Sequence, residues 1–207
     1  MNHPDVILIA PGAFDPITYL HLRMFELARD HFKNSKIMML LSPVHADYTA
    51  KRSMQSTSDR LKMCSLALES TDIVLDDWEA TQTEYKSTLT LLKRLKRKYS
   101  SSKIMLLCGA DLVASFQDPS AHWPKEDVDE ILRDFGCFIV RRGNVDVEAL
   151  FSESGMNITN SVIVREIVEN NVSSSLIRDL LKQGKSVKWL IPDKVIDWIE
   201  KNNLYRD

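Results

Sequence analysis

The sequence predicts an α/β fold, a doubly wound, Rossmann-like parallel sheet with helices on both faces. Short apolar runs alternate with segments of helical spacing, which indicates βαβ units. The apolar runs are continuous, as in strands buried on both faces of a parallel sheet. No internal repeat or low-complexity linker interrupts the 207 residues. We therefore expect a single domain over residues 1–207.

The first half of the chain contains four predicted strands and three predicted helices. Each strand is a short apolar run, and the runs lie at residues 6–10, 36–41, 72–75 and 104–108. The helices are predicted from apolar residues at helical spacing or from a capping signal. They lie at 18–31, at a segment that begins with a Ser58-Asp59-Arg60 cap, and at 87–99. The segment after Gly109 is rich in Pro, Asp and Trp, and we expect a loop there.

The second half continues the alternation. Strands are predicted at 137–140 and 161–164, and helices at 127–133, 146–151, 174–183 and 193–202. Ligands of doubly wound sheets bind outside the carboxyl ends of the strands. The loops that follow strands are therefore where chemistry is expected.

Composition excludes several classes of protein. The chain has 27 Lys plus Arg against 29 Asp plus Glu, a net charge of −2, which argues against a nucleic-acid partner. No apolar run approaches the roughly 20 residues that span a bilayer, so we expect no membrane partner. Cys64, Cys108 and Cys137 lack metal-ligand spacing, which favours buried reduced thiols in an intracellular protein, cytoplasmic or nuclear. The basic run at 93–98 is compatible with a nuclear import signal or a solvated helix face.

The loop after the first strand contains the sharpest motif, Gly12-Ala13-Phe14-Asp15-Pro16-Ile17-Thr18-Tyr19-Leu20-His21. Gly12 allows backbone N–H groups to approach a ligand, and the N-terminus of the following helix attracts anions. Thr18 and His21 are three residues apart and face the same way in a helical turn. Their side chains are suited to bind phosphate oxygens. Alternatively, Thr18 caps the helix and His21 is a partly buried histidine with its own hydrogen-bond partners.

A second motif, Ser173-Ser174-Ser175-Leu176-Ile177-Arg178, lies near the start of a late helix. Three hydroxyls are often only a capping signal. With an arginine in the first turn they are also suited to triphosphate oxygens.

Together the two motifs, G-x-F-x-P-x-[HT]-x-x-H and S-S-x-x-x-R, resemble those of the nucleotidyltransferase superfamily. Within it the chain is similar to the eukaryotic nicotinamide/nicotinate mononucleotide adenylyltransferases. The resemblance extends through Ser42-Pro43-Val44, Asp77-Trp78-Glu79, residues 106–112 (LLCGADL) and Leu190-Ile191-Pro192-Asp193. It implies an enzyme that converts ATP and nicotinamide mononucleotide, or nicotinic acid mononucleotide, into the dinucleotide and pyrophosphate. It further implies Mg²⁺ on the substrate phosphates, without a protein metal site, and a homo-oligomer.

The resemblance also assigns roles to residues. His21 and Arg178 would be catalytic, with Thr18 beside His21. Residues on the mononucleotide side would be Gly12, Ala13, Lys51, Trp78, Tyr85, Thr88, Trp123 and Arg142. Residues on the ATP side would be His21, Arg52, Gly109, Asp111, Asn170, Ser174, Ser175 and Arg178.

Several of these roles have plainer alternatives. Lys51, Arg52 and Arg142 are compatible with ordinary surface cations, and Asp111 with a helix-capping residue. Tyr85 stands where the family has a tryptophan, so stacking on the pyridine ring is weaker there. At the level of the whole chain, the alternatives are another nucleotidyltransferase, acting on phosphopantetheine or glycerol phosphate, and a nucleotide-binding sensor or chaperone without catalysis.

Overall fold

The computed structural model describes residues 3–48, 54–118, 121, 123–141, 146–168 and 170–206. Six strands form one sheet in these ranges: β1 (Val6–Gly12), β2 (Ile37–Pro43), β3 (Val74–Leu75), β4 (Lys103–Gly109), β5 (Cys137–Arg141) and β6 (Val162–Arg165). Their order is β3-β2-β1-β4-β5-β6, and β1–β4, β2–β3, β4–β5 and β5–β6 pair in parallel. The chain order reverses at β1 and β4, so the doubly wound α/β prediction is confirmed.

The helices within the described ranges are α1 (Tyr19–His31), α2 (Thr57–Leu68), α3 (Thr88–Lys98), α4 (Ala110–Ser115), α5 (Lys125–Glu130), α6 (Val147–Ser154), α7 (Ser174–Lys182) and α8 (Asp193–Lys201). A 3-10 turn occupies Ala46–Tyr48, and a π-helical turn, Ile131–Phe135, continues α5. None of the described helices combines the length and the apolar character that a membrane crossing needs.

Two local predictions were wrong. The segment after Gly109 begins with helix α4 instead of a loop, because six residues are too few to show a helical period. Helix α2 is capped by Ser56, whose Oγ accepts a hydrogen bond of 3.0 Å from the Asp59 N–H, and not by residues 58–60. Arg60 consequently lies inside the helix, where its side chain is fully buried.

The described chain forms two compact units, each assembled from three separate segments. The first unit consists of Met1–Pro11, Met24–Met39 and Ser87–Asn170. Its centre is the β4–β5 pair, in which Leu106 is in register with Cys137. Cys108 and Cys137 are buried free thiols there, as expected. On α3, Lys93 forms an ion pair of 2.8 Å with Glu130, and the buried leucines lie on another face of the helix.

The second unit consists of Gly12–Arg23, Leu40–Lys86 and Asn171–Asp207. Helix α2 packs against α8, with Met63 and Ile199 buried. Trp198 Nε1 donates a hydrogen bond of 3.2 Å to Asp59 Oδ1 and joins the two helices. The expectation of one domain over residues 1–207 stays a prediction.

Candidate active site

His21 is held by Thr18, the residue that directly precedes helix α1. The Thr18 backbone N–H donates a hydrogen bond of 3.0 Å to His21 Nδ1, and Thr18 Oγ1 lies 3.0 Å from the same nitrogen. A backbone N–H can only donate, so Nδ1 acts as the acceptor. In a neutral imidazole the proton then resides on Nε2. We infer that His21 presents an N–H donor, while the fully buried Thr18 acts through the ring and not directly on a ligand.

Phe14 also contacts the imidazole of His21. Its ring meets His21 edge-on, with 5.1 Å between the ring centroids, and the residue is 3% exposed. Gly12 makes room for this ring, because a Cβ at Gly12 would lie only 2.9 Å from Phe14 Cζ. Phe14 is the F of the motif, but no role was predicted for it, nor the backbone φ of 45° that it adopts. A positive φ at a non-glycine residue leaves no pattern in the sequence.

The serines at the start of α7 have three different functions. Ser173 caps the helix, because its Oγ accepts a hydrogen bond of 3.2 Å from the Leu176 N–H. Ser174 Oγ donates to the Pro16 carbonyl at 2.8 Å. Ser175 Oγ accepts from Arg178 Nη2 at 2.9 Å. The capping alternative thus holds for Ser173 alone.

Arg178 connects α7 to the loop after β1. Its Nη1 donates a hydrogen bond of 2.7 Å to the carbonyl oxygen of Asp15. The loop that leads to α1 and His21 is therefore bound to both an arginine and a serine of α7. An imidazole N–H donor and a guanidinium held by such contacts suit the oxygens of a phosphate group.

Arg60 holds the same loop from helix α2. Its guanidinium donates to the carbonyls of Ala13 at 2.9 Å, Val44 at 2.8 Å and Gln55 at 3.3 Å. Sequence reasoning did not single out this arginine as a site residue, because a buried guanidinium that bonds to carbonyls distant in the chain has no motif. Arg60 fixes the backbone position of Ala13, one of the predicted mononucleotide contacts.

The turn after β3 contains Trp78 and Glu79. Trp78 is half-buried, and its N–H donates to Asp76 Oδ1 at 3.1 Å. Glu79 is 1% exposed, and its Oε2 has no hydrogen-bond partner among the described residues. Burial raises the pKa of Glu79 to about 8, with a further rise from Asp76 that Arg60 partly offsets. Tyr85, farther along, is 44% exposed.

Glu79→Gln is expected to make the protein more stable at pH 8 than the wild type. Between pH 4.5 and about 8 the unfolded chain ionises this carboxyl while the folded state keeps the proton. The raised pKa therefore lowers wild-type stability as pH rises through that window, by on the order of 5 kcal/mol at about 1.4 kcal/mol per unit. Urea unfolding at pH 5 and pH 8 measures the difference.

Glu69→Gln is the matched control, because Lys194 lowers the pKa of Glu69 on the protein surface. Glu69 is ionised in both states above pH 5, so the stability difference between this variant and the wild type should not change from pH 5 to pH 8. If the stability difference between Glu79→Gln and the wild type is also the same at pH 5 and pH 8, burial does not raise the pKa of Glu79.

The remaining predicted residues that the structure describes belong to the first unit. Gly109 is the N-cap residue of α4, and the Asp111 carboxylate lies where a Cβ at Gly109 would be. Asp111 itself is in the first helical turn, two residues beyond the N-cap residue, and its assignment stays a prediction. Trp123 Nε1 donates to Ser115 Oγ at 3.1 Å. Thr88 is the first residue of α3 and is buried, and Asn170 is half-buried.

Three predicted cations, Lys51, Arg52 and Arg142, lie outside the described residues. Their assignments stay predictions. Most of the predicted positions in the second unit lie at the loop between β1 and α1. Gly12 ends β1, and the other positions that belong to this loop or contact it are Ala13, Thr18, His21, Ser174 and Arg178, with Ser175 bound to Arg178.

Comparison with known proteins gives consistent results. The cytidylyltransferase-like family matches residues 9–180. A nicotinamide/nicotinic acid mononucleotide adenylyltransferase of Arabidopsis thaliana is 40% identical, over 98% of this chain and 90% of the relative. A nicotinamide/nicotinic acid mononucleotide adenylyltransferase 1 of Bos taurus is 32% identical, over 97% of this chain and 89% of the relative.

Solved structures share the fold. Plasmodium falciparum nicotinic acid mononucleotide adenylyltransferase complexed with NaAD has a TM-score of 0.77 and 22% identity, over 97% of both chains. The same enzyme complexed with APC has a TM-score of 0.76. At this identity the likeness shows a common fold.

Proposed function

The chain belongs to the family of nicotinamide/nicotinic acid mononucleotide adenylyltransferases, and we propose that it joins ATP to nicotinamide mononucleotide or nicotinic acid mononucleotide. The products are NAD or deamido-NAD, together with pyrophosphate. The observation that carries the proposal is the loop after β1, where Thr18 and Phe14 orient the imidazole of His21 and Asp15 binds Arg178.

The chemistry is a single displacement. An oxygen of the mononucleotide 5′-phosphate attacks the α-phosphorus of ATP, the bond to the bridging oxygen breaks, and pyrophosphate leaves with the electron pair. Such a transfer needs alignment and charge stabilisation and no covalent nucleophile from the protein. The His21 Nε2–H and the Arg178 guanidinium donate to phosphate oxygens as charge develops on the leaving group.

The remaining contacts divide between the two substrates. On the mononucleotide side the Gly12 and Ala13 backbone and Lys51 bind the nucleotide and its phosphate, with Arg142 as a further contact. Trp78, Tyr85, Thr88 and Trp123 bind the pyridine ring and its substituent. On the ATP side Gly109, Asp111 and Asn170 bind the adenosine, and Arg52, Ser174 and Ser175 bind the phosphates.

Magnesium is held by the substrates in this proposal. His21, Ser175 and Arg178 present N–H and O–H donors, and the Ser174 hydroxyl already donates to the Pro16 carbonyl. None of the four is a carboxylate, so this group fits phosphate oxygens and not the cation itself. Mg²⁺ commonly keeps its waters and binds nucleotides through their phosphates. When bound, it neutralises phosphate charge. The resemblance also implies a homo-oligomer, which stays a prediction.

Purified protein with ATP, Mg²⁺ and either mononucleotide is expected to release dinucleotide and pyrophosphate in equal amounts. Chromatography measures the dinucleotide, and a pyrophosphate assay measures the second product. Phosphopantetheine and glycerol phosphate serve as alternative acceptors. Product from these alone would support a different nucleotidyltransferase, and no product from any acceptor would support a binding protein. ATP made chiral at the α-phosphorus tests the mechanism, because one in-line displacement inverts the configuration.

A further inference from the structure

Asp15 is bound through its side chain by residues distant in sequence. It follows Phe14 in the loop that leads to Thr18 and His21, and it is 1% exposed. Its Oδ1 accepts a hydrogen bond of 2.5 Å from the hydroxyl of Tyr205 and one of 3.3 Å from the Gln55 N–H. A buried carboxylate needs such donors, and the Tyr205 hydroxyl is the closer of these two.

The backbone carbonyl of Asp15 binds helix α7, which contains Arg178. The carbonyl of Asp15 accepts from Arg178 Nη1 at 2.7 Å, and the next carbonyl, that of Pro16, accepts from Ser174 Oγ at 2.8 Å. Asp15 thus connects Tyr205, on its side chain, with Arg178, on its backbone. A displacement of Asp15 moves the arginine that the proposed reaction requires.

Tyr205 is itself held in a defined conformation. It follows helix α8, is 6% exposed, and has a φ of 63°. Positive φ is an outlier for a bulky residue and persists where surrounding contacts fix it. The hydroxyl is therefore presented to Asp15 by a rigid and buried side chain.

We propose that Tyr205 is a positioning residue of the active site, whose hydroxyl fixes the Asp15 carboxylate and, through the Asp15 carbonyl, the guanidinium of Arg178. This inference rests on the proposed adenylyl transfer. It adds a residue that lies in no motif of the sequence and is separated from Asp15 by 190 positions.

The test is Tyr205→Phe, which removes the hydroxyl and keeps the ring. Because small displacements of catalytic groups cost large factors in rate, we expect kcat to fall about tenfold while the KM for the mononucleotide stays within about twofold. A role in folding alone would lower the melting temperature and leave kcat of the folded enzyme unchanged.

Trp198→Phe is the matched control, because it also removes a hydrogen bond between the region of α8 and the rest of the second unit, here to Asp59. It is expected to lower the melting temperature without changing kcat. Equal kcat in Tyr205→Phe and the wild type, or equal losses in the two variants, would overturn the proposal.

Asp15→Ala removes the acceptor in place of the donor and keeps the test possible if Tyr205→Phe fails to fold. It is expected to lower kcat by at least as much, and the double variant should lose little more, because both changes break the same contact. Additive losses would contradict a role through Asp15. A wild type that makes no dinucleotide would instead refute the proposed function itself, and the positioning role with it.

Discussion

His21→Ala is expected to lower kcat by about 100- to 1000-fold, the usual cost of removing one preorganised donor to a developing oxyanion. The Thr18 N–H on Nδ1 leaves Nε2–H as the ring's donor, and the edge-on contact with Phe14 fixes its direction. That donor acts where charge develops in the transition state. The KM for the mononucleotide should therefore change much less than kcat, measured by steady-state kinetics with both substrates varied.

Two further variants make this test specific. His3→Ala changes an exposed histidine of the first unit and should keep wild-type kcat. Thr18→Val removes the hydroxyl from His21 but keeps the backbone N–H contact, so a smaller loss than in His21→Ala is expected. Equal losses in kcat and in mononucleotide affinity for His21→Ala would mean that His21 only binds substrate.

The fold was predictable because its elements have strong periodic signals. Continuous apolar runs of four to six residues predicted the six strands, and the observed strands differ from them by a few residues at most. Helix α4 was missed because Ala110–Ser115 is shorter than two helical turns. The α2 cap was misplaced by two residues because Ser56 and Ser58 are both suitable capping residues.

The active site was predictable only where it has motifs. His21, Ser174 and Arg178 belong to local patterns, and they do contact the loop after β1 or one of its residues. Tyr205 and Arg60 act through contacts with residues 190 and 47 positions away. Such contacts depend on how the chain folds back on itself, and no spacing in the sequence encodes them.

Arg60→Met is expected to destabilise the protein by at least about 3 kcal/mol, because three carbonyl acceptors lose their charged donor and each such loss costs about 1–3 kcal/mol. The buried guanidinium donates to three carbonyls, those of Ala13, Val44 and Gln55. Methionine fills much of the volume but leaves these acceptors without their charged donor. For a chain of this size we expect the melting temperature to fall by about 10 °C, measured by calorimetry.

The same substitution should also weaken substrate binding, because the Ala13 carbonyl loses the contact that fixes the loop after β1. In the fraction that is folded, the KM for the mononucleotide should rise, whereas a purely global destabilisation would change the amount of active enzyme and not its KM. Lys62→Met, on the exposed face of the same helix, is the matched control and should stay within about 0.5 kcal/mol of the wild type. If Arg60→Met and Lys62→Met have the same melting temperature, the hydrogen bonds of the guanidinium to the three carbonyls do not stabilise the fold. The loop would then be positioned by Asp15 and its partners instead.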